Sequence, residues 1–390
     1  MPATRPDSHP LGDVSCGVKA VDAVLTNHFS GLCPVRVCSS DINPQQVPVL
    51  SHLYEFTMLT VEEIRALGDA HPEFEPIIRA HNPMLNGWDM NTDLDSFREM
   101  MAQVQQYRTK PDPETVSYEV KDFKIPLRDG FEVSAQSYTP KGDVSSDGRP
   151  GLVVFHGGGF VTGDLNTEAG LCVEFSKLGG IAVNIDYRHA PEHVFPQAIN
   201  DAFDATVWVS QNIDKFGINP SKGFIIGGTS SGADVSLVVS HLCRDAKMTP
   251  ALTGVFAPIT SGVNGQTVPD KYKNHFISME QCAKTPVFSA ESVKFVHSKY
   301  KPDPESPLAF PVAFPSHAGL PKTYFQACGM DPVRDCSIVL EQVYKDEGVQ
   351  TKLDIYPGLP HAFWAVFPEL EISQKRERDV IEGLKWLLAA

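Results

Sequence analysis

From Tyr118 onward, short apolar runs alternate with longer stretches in which apolar residues recur at helical spacing. The runs Leu152–Phe155, Ile181–Asp186, Gly223–Ile226, Gly254–Ala257, Thr323–Ala327 and Leu353–Tyr356 are mostly apolar throughout. Runs that short suit strands buried on both faces. Helix-length segments separate them, near Glu168–Leu178, Gln197–Phe216, Asp234–Arg244, Cys336–Glu347 and Ile372–Leu388. Just ahead, Tyr118–Pro126 and Phe131–Tyr138 are alternating stretches joined through Arg128-Asp129-Gly130, the pattern of an antiparallel hairpin. A hairpin followed by strand–helix units predicts an α/β fold with a doubly wound, mostly parallel sheet.

Upstream of Lys110-Pro111-Asp112-Pro113, which reads as a linker, the texture differs. Thr60-Val61-Glu62-Glu63 is a capping box, in which the Thr side chain and the Glu each satisfy a backbone donor. Val61, Ile64 and Leu67 follow at helical spacing, and Leu94, Phe97, Met101 and Val104 mark a second helix that Asn91 to Asp93 could cap. Residues 1–113 are therefore expected to form an N-terminal arm with helices, and residues 114–390 the sheet domain. Met1 to about Ser51 has no clear pattern.

Composition narrows the function classes. The 390 residues are 42% hydrophobic and 21% charged, and 48 acidic against 33 basic residues give a net charge of −15. With no basic run to offset it, that charge repels phosphate backbones, so no nucleic-acid partner is expected. The start lacks a basic segment leading into an apolar one, and no window is long and apolar enough for a membrane span. A cytoplasmic protein is expected. The eight cysteines are irregularly spaced, with no CxxC pair to suggest a zinc site or a disulfide framework.

Candidate chemistry gathers just past the predicted strands, where ligands bind in such sheets. After Gly223–Ile226 comes Gly228-Thr229-Ser230-Ser231-Gly232, a G-x-S-x-G turn that would expose the Ser230 hydroxyl. After Leu152–Phe155 comes His156-Gly157-Gly158-Gly159-Phe160, where glycines let backbone N–H groups face an oxyanion. Gly157, Gly159 and Gly163 nearly fit a dinucleotide fingerprint, but the third glycine is one place late. A serine nucleophile needs a base and the base an orienting carboxylate. Asp331 follows Thr323–Ala327, and His361 follows Leu353–Tyr356. Singly, Asp331 could be a helix cap and His361 a surface residue. Together, Ser230, Asp331 and His361 stand in nucleophile–acid–histidine order.

With these motifs the sequence resembles the hormone-sensitive-lipase-like family of α/β-hydrolases over roughly Tyr118 to Ala390. The resemblance rests on His156–Phe160, the stretch from Asp186 to Pro196, Gly228–Gly232, Asp331–Asp335 and His361-Ala362-Phe363. It implies an α/β-hydrolase fold with an N-terminal helical cap. It also implies Ser230 as nucleophile, His361 as base, Asp331 as its orienting acid, and an oxyanion hole from the N–H groups of Gly157, Gly158 and Ser231. Thr229, Ser231, Phe160 and Ala362 depart from the commoner residues without removing a catalytic atom. The expected activity is hydrolysis of a small or medium acyl ester, with no cofactor and no metal; homodimerisation is left open. Acyl transfer, cyclisation or C–C cleavage with the same triad is the alternative, and a non-catalytic small-molecule receptor a more distant one. Asp335, four residues after Asp331 at the start of a predicted helix, is expected to be structural, favourable with the helix dipole. His189-Ala190-Pro191-Glu192-His193 fits the H-x-x-E-H zinc pattern, but Pro191 opposes the helix that chemistry needs, so a structural loop is expected.

Overall fold

Along each central strand, side chains alternate between two helical layers. The computed structural model describes residues 58–80, 87–99, 117–142 and 147–389. The hairpin is β1 (Tyr118–Pro126) and β2 (Glu132–Pro140). It is followed by β3 (Gly151–Phe155), β4 (Ile181–Asp186), β5 (Phe224–Gly227), β6 (Gly254–Pro258), β7 (Lys322–Met330) and β8 (Thr351–Pro360). One sheet results, in the order β1-β2-β4-β3-β5-β6-β7-β8, with β2 antiparallel to both of its neighbours and every other pair parallel.

Helices α1 (Val61–Ala66), α2 (Glu75–Arg79) and α3 (94–99) precede the sheet. Then come α4 (Ala169–Lys177), α5 (Gln197–Gln211), α6 (Ser231–Asp245), α7 (Ala290–Tyr300), α8 (Arg334–Asp346) and α9 (Glu371–Leu388). Leu152, Val154, Ile225 and Phe256 pack with Phe175 of α4 and Leu384 of α9. Their neighbours Val153, Phe155, Ile226 and Val255 turn to the other layer, with Ile199 of α5, Val238 of α6 and Val339 of α8. Burial of one such side chain stabilises the fold by roughly 1.5–3 kcal/mol, which is why nearly continuous apolar strands end up between two helical layers.

The Thr60 capping box forms as expected, with Glu63 N–H donating to Thr60 Oγ1 at 3.2 Å and Thr60 N–H to Glu63 Oε2 at 2.8 Å. The α1 face then buries Ile64 and Leu67 against Ala327 of β7 and Ile338 of α8. Gly358 N–H donates to Leu67 O at 2.7 Å, tying this segment to the carboxyl end of β8.

Several boundaries differ from expectation. Strands β7 and β8 run on to Met330 and Pro360, so Asp331 and His361 are the first residues beyond them. The expected helix Gln197–Phe216 breaks at Asn212. Helix α6 starts at Ser231 rather than Asp234. The hydrophobic pattern did not predict α7 at all, because Lys294, His297 and Lys299 are interspersed with its apolar face and its cap pairs Ser289 with Ser292 in place of an acid. Met101, Val104, Lys110–Pro113 and Met1–Ser51 lie outside the described residues. Among the described residues no helix is long and apolar enough to cross a membrane.

Candidate active site

The strand order reverses at β3, since the chain first adds β4 on one side and then β5 on the other. A crevice opens at the carboxyl ends where such a reversal occurs. The loops after β3 and β5, which carry His156–Phe160 and Gly228–Gly232, flank it.

Between β5 and α6 the chain turns so sharply that Ser230 adopts φ 57° and ψ −119°. A positive φ in a non-glycine residue costs energy and holds only where the surroundings enforce it. Here they do: a Cβ on Gly228 or on Gly232 would collide with the carbonyl oxygen of Phe155, so both positions need glycine. Ser230 N–H donates to Pro258 O at 3.1 Å, and Thr229 is hydrogen-bonded to the buried carboxyl of Glu168. Burial raises the pKa of that carboxyl above the usual range, against the pull of Thr229 and Arg376.

The Ser230 Oγ lies 3.0 Å from His361 Nε2, and His361 Nδ1 lies 2.7 Å from Asp331 Oδ2. These residues are far apart in sequence and meet only because β5, β7 and β8 end on one side of the sheet. Asp331 is fully buried, and its other oxygen accepts from Val333 N–H at 3.0 Å. Its carboxylate is therefore fixed from both sides and aligns the imidazole. Asp335 points elsewhere. It accepts from Ile277 N–H at 2.7 Å and Ser278 N–H at 2.6 Å, and pairs with the buried Arg334 at 2.7 Å. Its partners are structural, though they are a distant loop and an arginine rather than the helix end alone.

The loop after β3 closes on the same turn. A Cβ on Gly157 would lie 2.7 Å from Thr229 O and 3.7 Å from Ser230 Cβ, so the backbone approaches the serine closely there. Gly158, with φ 128°, receives the Thr162 N–H on its carbonyl at 3.1 Å, which folds the loop back on itself. Ser231 is the first residue of α6, and its Oγ lies 3.4 Å from the Tyr187 hydroxyl. Over the site, the Phe288 ring stacks on His361 with centroids 4.5 Å apart. Trp88 packs edge-on against Phe288, Phe97 and Phe295. A cleft of ≈ 40 Å³ remains against Ser230 and His361, walled by Phe160, Phe288, Val293, Val296 and Val333.

The H-x-x-E-H stretch is turn rather than helix. Glu192 pairs with Arg98 at 2.8 Å, and the His193 ring lies against Phe131. The two histidines of the pattern do not face one site.

Comparison with known proteins agrees with this architecture. The sequence pattern of the alpha/beta hydrolase fold matches residues 152–365. An AB hydrolase superfamily protein of Schizosaccharomyces pombe is 35% identical over 324 residues, 82% of this chain and 94% of its own. The chain belongs to the alpha/beta hydrolase family, in its hormone-sensitive-lipase-like branch. A versiconal hemiacetal acetate esterase of Dothistroma septosporum is 35% identical over 60% of this chain and 72% of its own length. Among solved structures, vibralactone cyclase superposes with a TM-score of 0.77 at 32% identity, over 85% of this chain and 98% of that one.

In this esterase-type hydrolase, sequence reasoning missed the residues over the site. Phe288, Val293, Val296 and His297 come from the long connection between β6 and β7, where no strand end or glycine motif marks them. The one available signal was the apolar spacing Val293, Val296, Tyr300 on α7.

Proposed function

We propose that the protein is a serine carboxylic-ester hydrolase for small to medium acyl groups. The observation that carries this reading is the continuous hydrogen-bond chain from Ser230 through His361 to Asp331. Ser230 Oγ attacks the ester carbonyl while His361 Nε2 takes its proton, and Asp331 holds the Nδ1–H tautomer and stabilises the imidazolium. The N–H groups of Gly157, Gly158 and Ser231 receive the oxyanion, each donor worth about 2.7–4 kcal/mol of barrier. His361 then protonates the departing alcohol, and water cleaves the acyl-enzyme by the reverse sequence.

The apolar walls and the ≈ 40 Å³ cleft favour a short acyl chain, since one water-sized group already needs roughly 10–15 Å³. We assign the segments around 58–80 and 87–99 to an N-terminal cap within residues 1–113, supported by the packing of Leu67 at the end of β8 and of Trp88 on Phe288. The described cysteines are all free and buried, which fits a reducing compartment such as the cytoplasm.

The likeness to vibralactone cyclase favours a second reading, in which an internal hydroxyl rather than water takes the acyl group. Turnover of p-nitrophenyl esters from acetate to palmitate, with Ser230→Ala as control, tests the first reading. Product analysis in ¹⁸O-labelled water separates the two: label in the acid means hydrolysis, and an unlabelled ester or lactone means transfer. An inactive wild-type enzyme across the whole series would overturn the hydrolase reading.

A further inference from the structure

Behind the glycine loop, the fold assembles a cluster that no local sequence pattern describes. His156 at the end of β3, Asp186 at the end of β4 and His189 just beyond it place their donor atoms within 4.8 Å of one another. His189 Nε2 lies 3.2 Å from His156 Nε2, and Asp186 Oδ1 lies 3.5 Å from that same nitrogen. Metal–nitrogen bonds of about 2.0–2.1 Å around a tetrahedral ion put neighbouring ligand atoms roughly 3.3–3.4 Å apart. Two of the three edges bracket that value, and the third, between Asp186 and His189, lies within 4.8 Å, so an ion would draw those two side chains together.

The tautomer supports the same arrangement. In the neutral ring, His156 Nδ1–H donates to Gly157 O at 2.9 Å and Nε2 is left as a lone pair directed into the cluster. An outer hydrogen bond of that kind, to a backbone carbonyl, is how metal-bound histidines are usually oriented. Without an ion, His189 Nε2–H can donate to that lone pair, but the Asp186 carboxylate then faces it with no proton between them. The nearby cation, Arg98, is already neutralised by two contacts to Glu192, at 2.8 and 3.0 Å. Asp186 keeps 32% of its side-chain surface exposed, so the cluster reaches solvent on that side.

We infer that His156, Asp186 and His189 form a binding site for a divalent transition-metal ion of the zinc type, which joins the loop after β3 to the loop after β4. Two imidazoles and one carboxylate are the donor set such ions prefer, and hard cations such as magnesium prefer oxygen alone. The site lies outside the Ser230–His361–Asp331 chain and buttresses the loop that carries Gly157 and Gly158. Zinc binding is read without any ester, so the inference stands or falls independently of the hydrolase reading.

The test uses the full chain, freed of metal by dipicolinate, titrated with zinc sulfate and monitored by calorimetry and thermal melts. One equivalent should bind and raise the melting temperature, with magnesium sulfate giving no such rise. His189→Gln and Asp186→Asn are chosen because both side chains reach the surface and their loss should leave the chain folded. Each should weaken zinc binding at least tenfold, about the least that loss of even an outer partner costs. His193→Gln, which alters the other histidine of the H-x-x-E-H stretch, should bind zinc as the parent does. Absence of saturable binding overturns the inference, and so does binding that His189→Gln leaves within twofold of the parent. Equal weakening by His193→Gln would also overturn it.

Discussion

The floor and the roof of the candidate site are built differently. The floor is made of residues that directly follow parallel strands: Ser230 just beyond β5, Asp331 after β7 and His361 after β8. Their positions are set by sheet hydrogen bonds and by glycines with no room for a side chain. The roof comes from the connection between β6 and β7 and from the N-terminal segment, and it meets the floor through ring contacts such as Phe288 on His361. Two buried acids fasten roof to floor. Asp234 of α6 accepts from Thr260 Oγ1 and from the N–H and hydroxyl of Ser261, at the root of the connection. Asp335 of α8 holds Ile277 and Ser278 farther along it. A floor held by a backbone lattice can keep reacting atoms in register, and a roof held mainly by side chains, with backbone bonds only where Leu67 and His71 meet Gly358, can vary with the substrate. On this view the floor sets the rate and the roof sets the choice of ester.

The largest expected effects come from breaking the floor. Ser230→Ala and His361→Ala should each lower kcat on p-nitrophenyl acetate by roughly 10⁴-fold or more, and the double variant should lose little beyond either. Asp331→Asn should lose somewhat less, with an unchanged melting temperature as the control for folding. If a roof substitution matched these losses, the division between floor and roof would fail.

Asp335→Asn should show the opposite balance. It leaves Arg334 buried without its charge partner, and breaking such a pair costs about 3–5 kcal/mol of stability. Turnover at a temperature where the variant is folded should stay within about tenfold of the parent. A loss greater than that of Asp331→Asn would show that Asp335 is the orienting acid.

Opening the roof should change preference more than rate. Phe288→Ala enlarges the cleft, so kcat/KM for butyrate and hexanoate esters should rise relative to acetate by about tenfold, or ~1.4 kcal/mol. Phe97→Ser, one ring removed through Trp88, should shift it less. Chain-length profiles run beside thermal melts check both; an unchanged profile with a lowered melting temperature would make these rings scaffold only.

The smallest effect concerns Asp234, whose pKa burial raises to about 6 from an ordinary 3.8, against the pull of Ser261 and Thr260. The folded state then binds a proton more tightly than the unfolded state does. This group's contribution is accordingly most favourable below the unfolded value and is lost as pH rises through about 6. Asp234→Asn removes that dependence. The melting temperature of the variant relative to the parent should be higher at pH 7 than at pH 4.5, and a difference of the opposite sign would reject the assignment.

Much of the floor was legible in the sequence. The apolar runs located β3, β5, β6 and the interior of β7 because a strand buried on both faces has no position to spare for a charge, whereas the edge strand β8, with Lys352 and Asp354, showed itself only through Leu353, Ile355 and Tyr356. Gly228 and Gly232 were legible because their backbone must pass against Phe155 O, and no other residue has the room. The roof was legible only in part: the Thr60 capping box and the helix bearing Leu94 and Phe97 were readable, but α7 was not, since it carries its apolar residues among lysines and a histidine and its cap lacks an acid. Asp335 looked like a helix-end residue because its true partners, Ile277 and Ser278, are remote in sequence.

What the amino-acid order determined by itself was local: where strands end, where the chain must turn tightly, and which reactive side chains stand at those turns. What tertiary structure alone decided was which of those side chains meet. His361 met Asp331 and Ser230, and His189 met His156 and Asp186 rather than His193. The reason is geometric. Periodicity is carried by residues a few positions apart, but these encounters depend on strand order and register across the whole sheet, which no short stretch of sequence encodes.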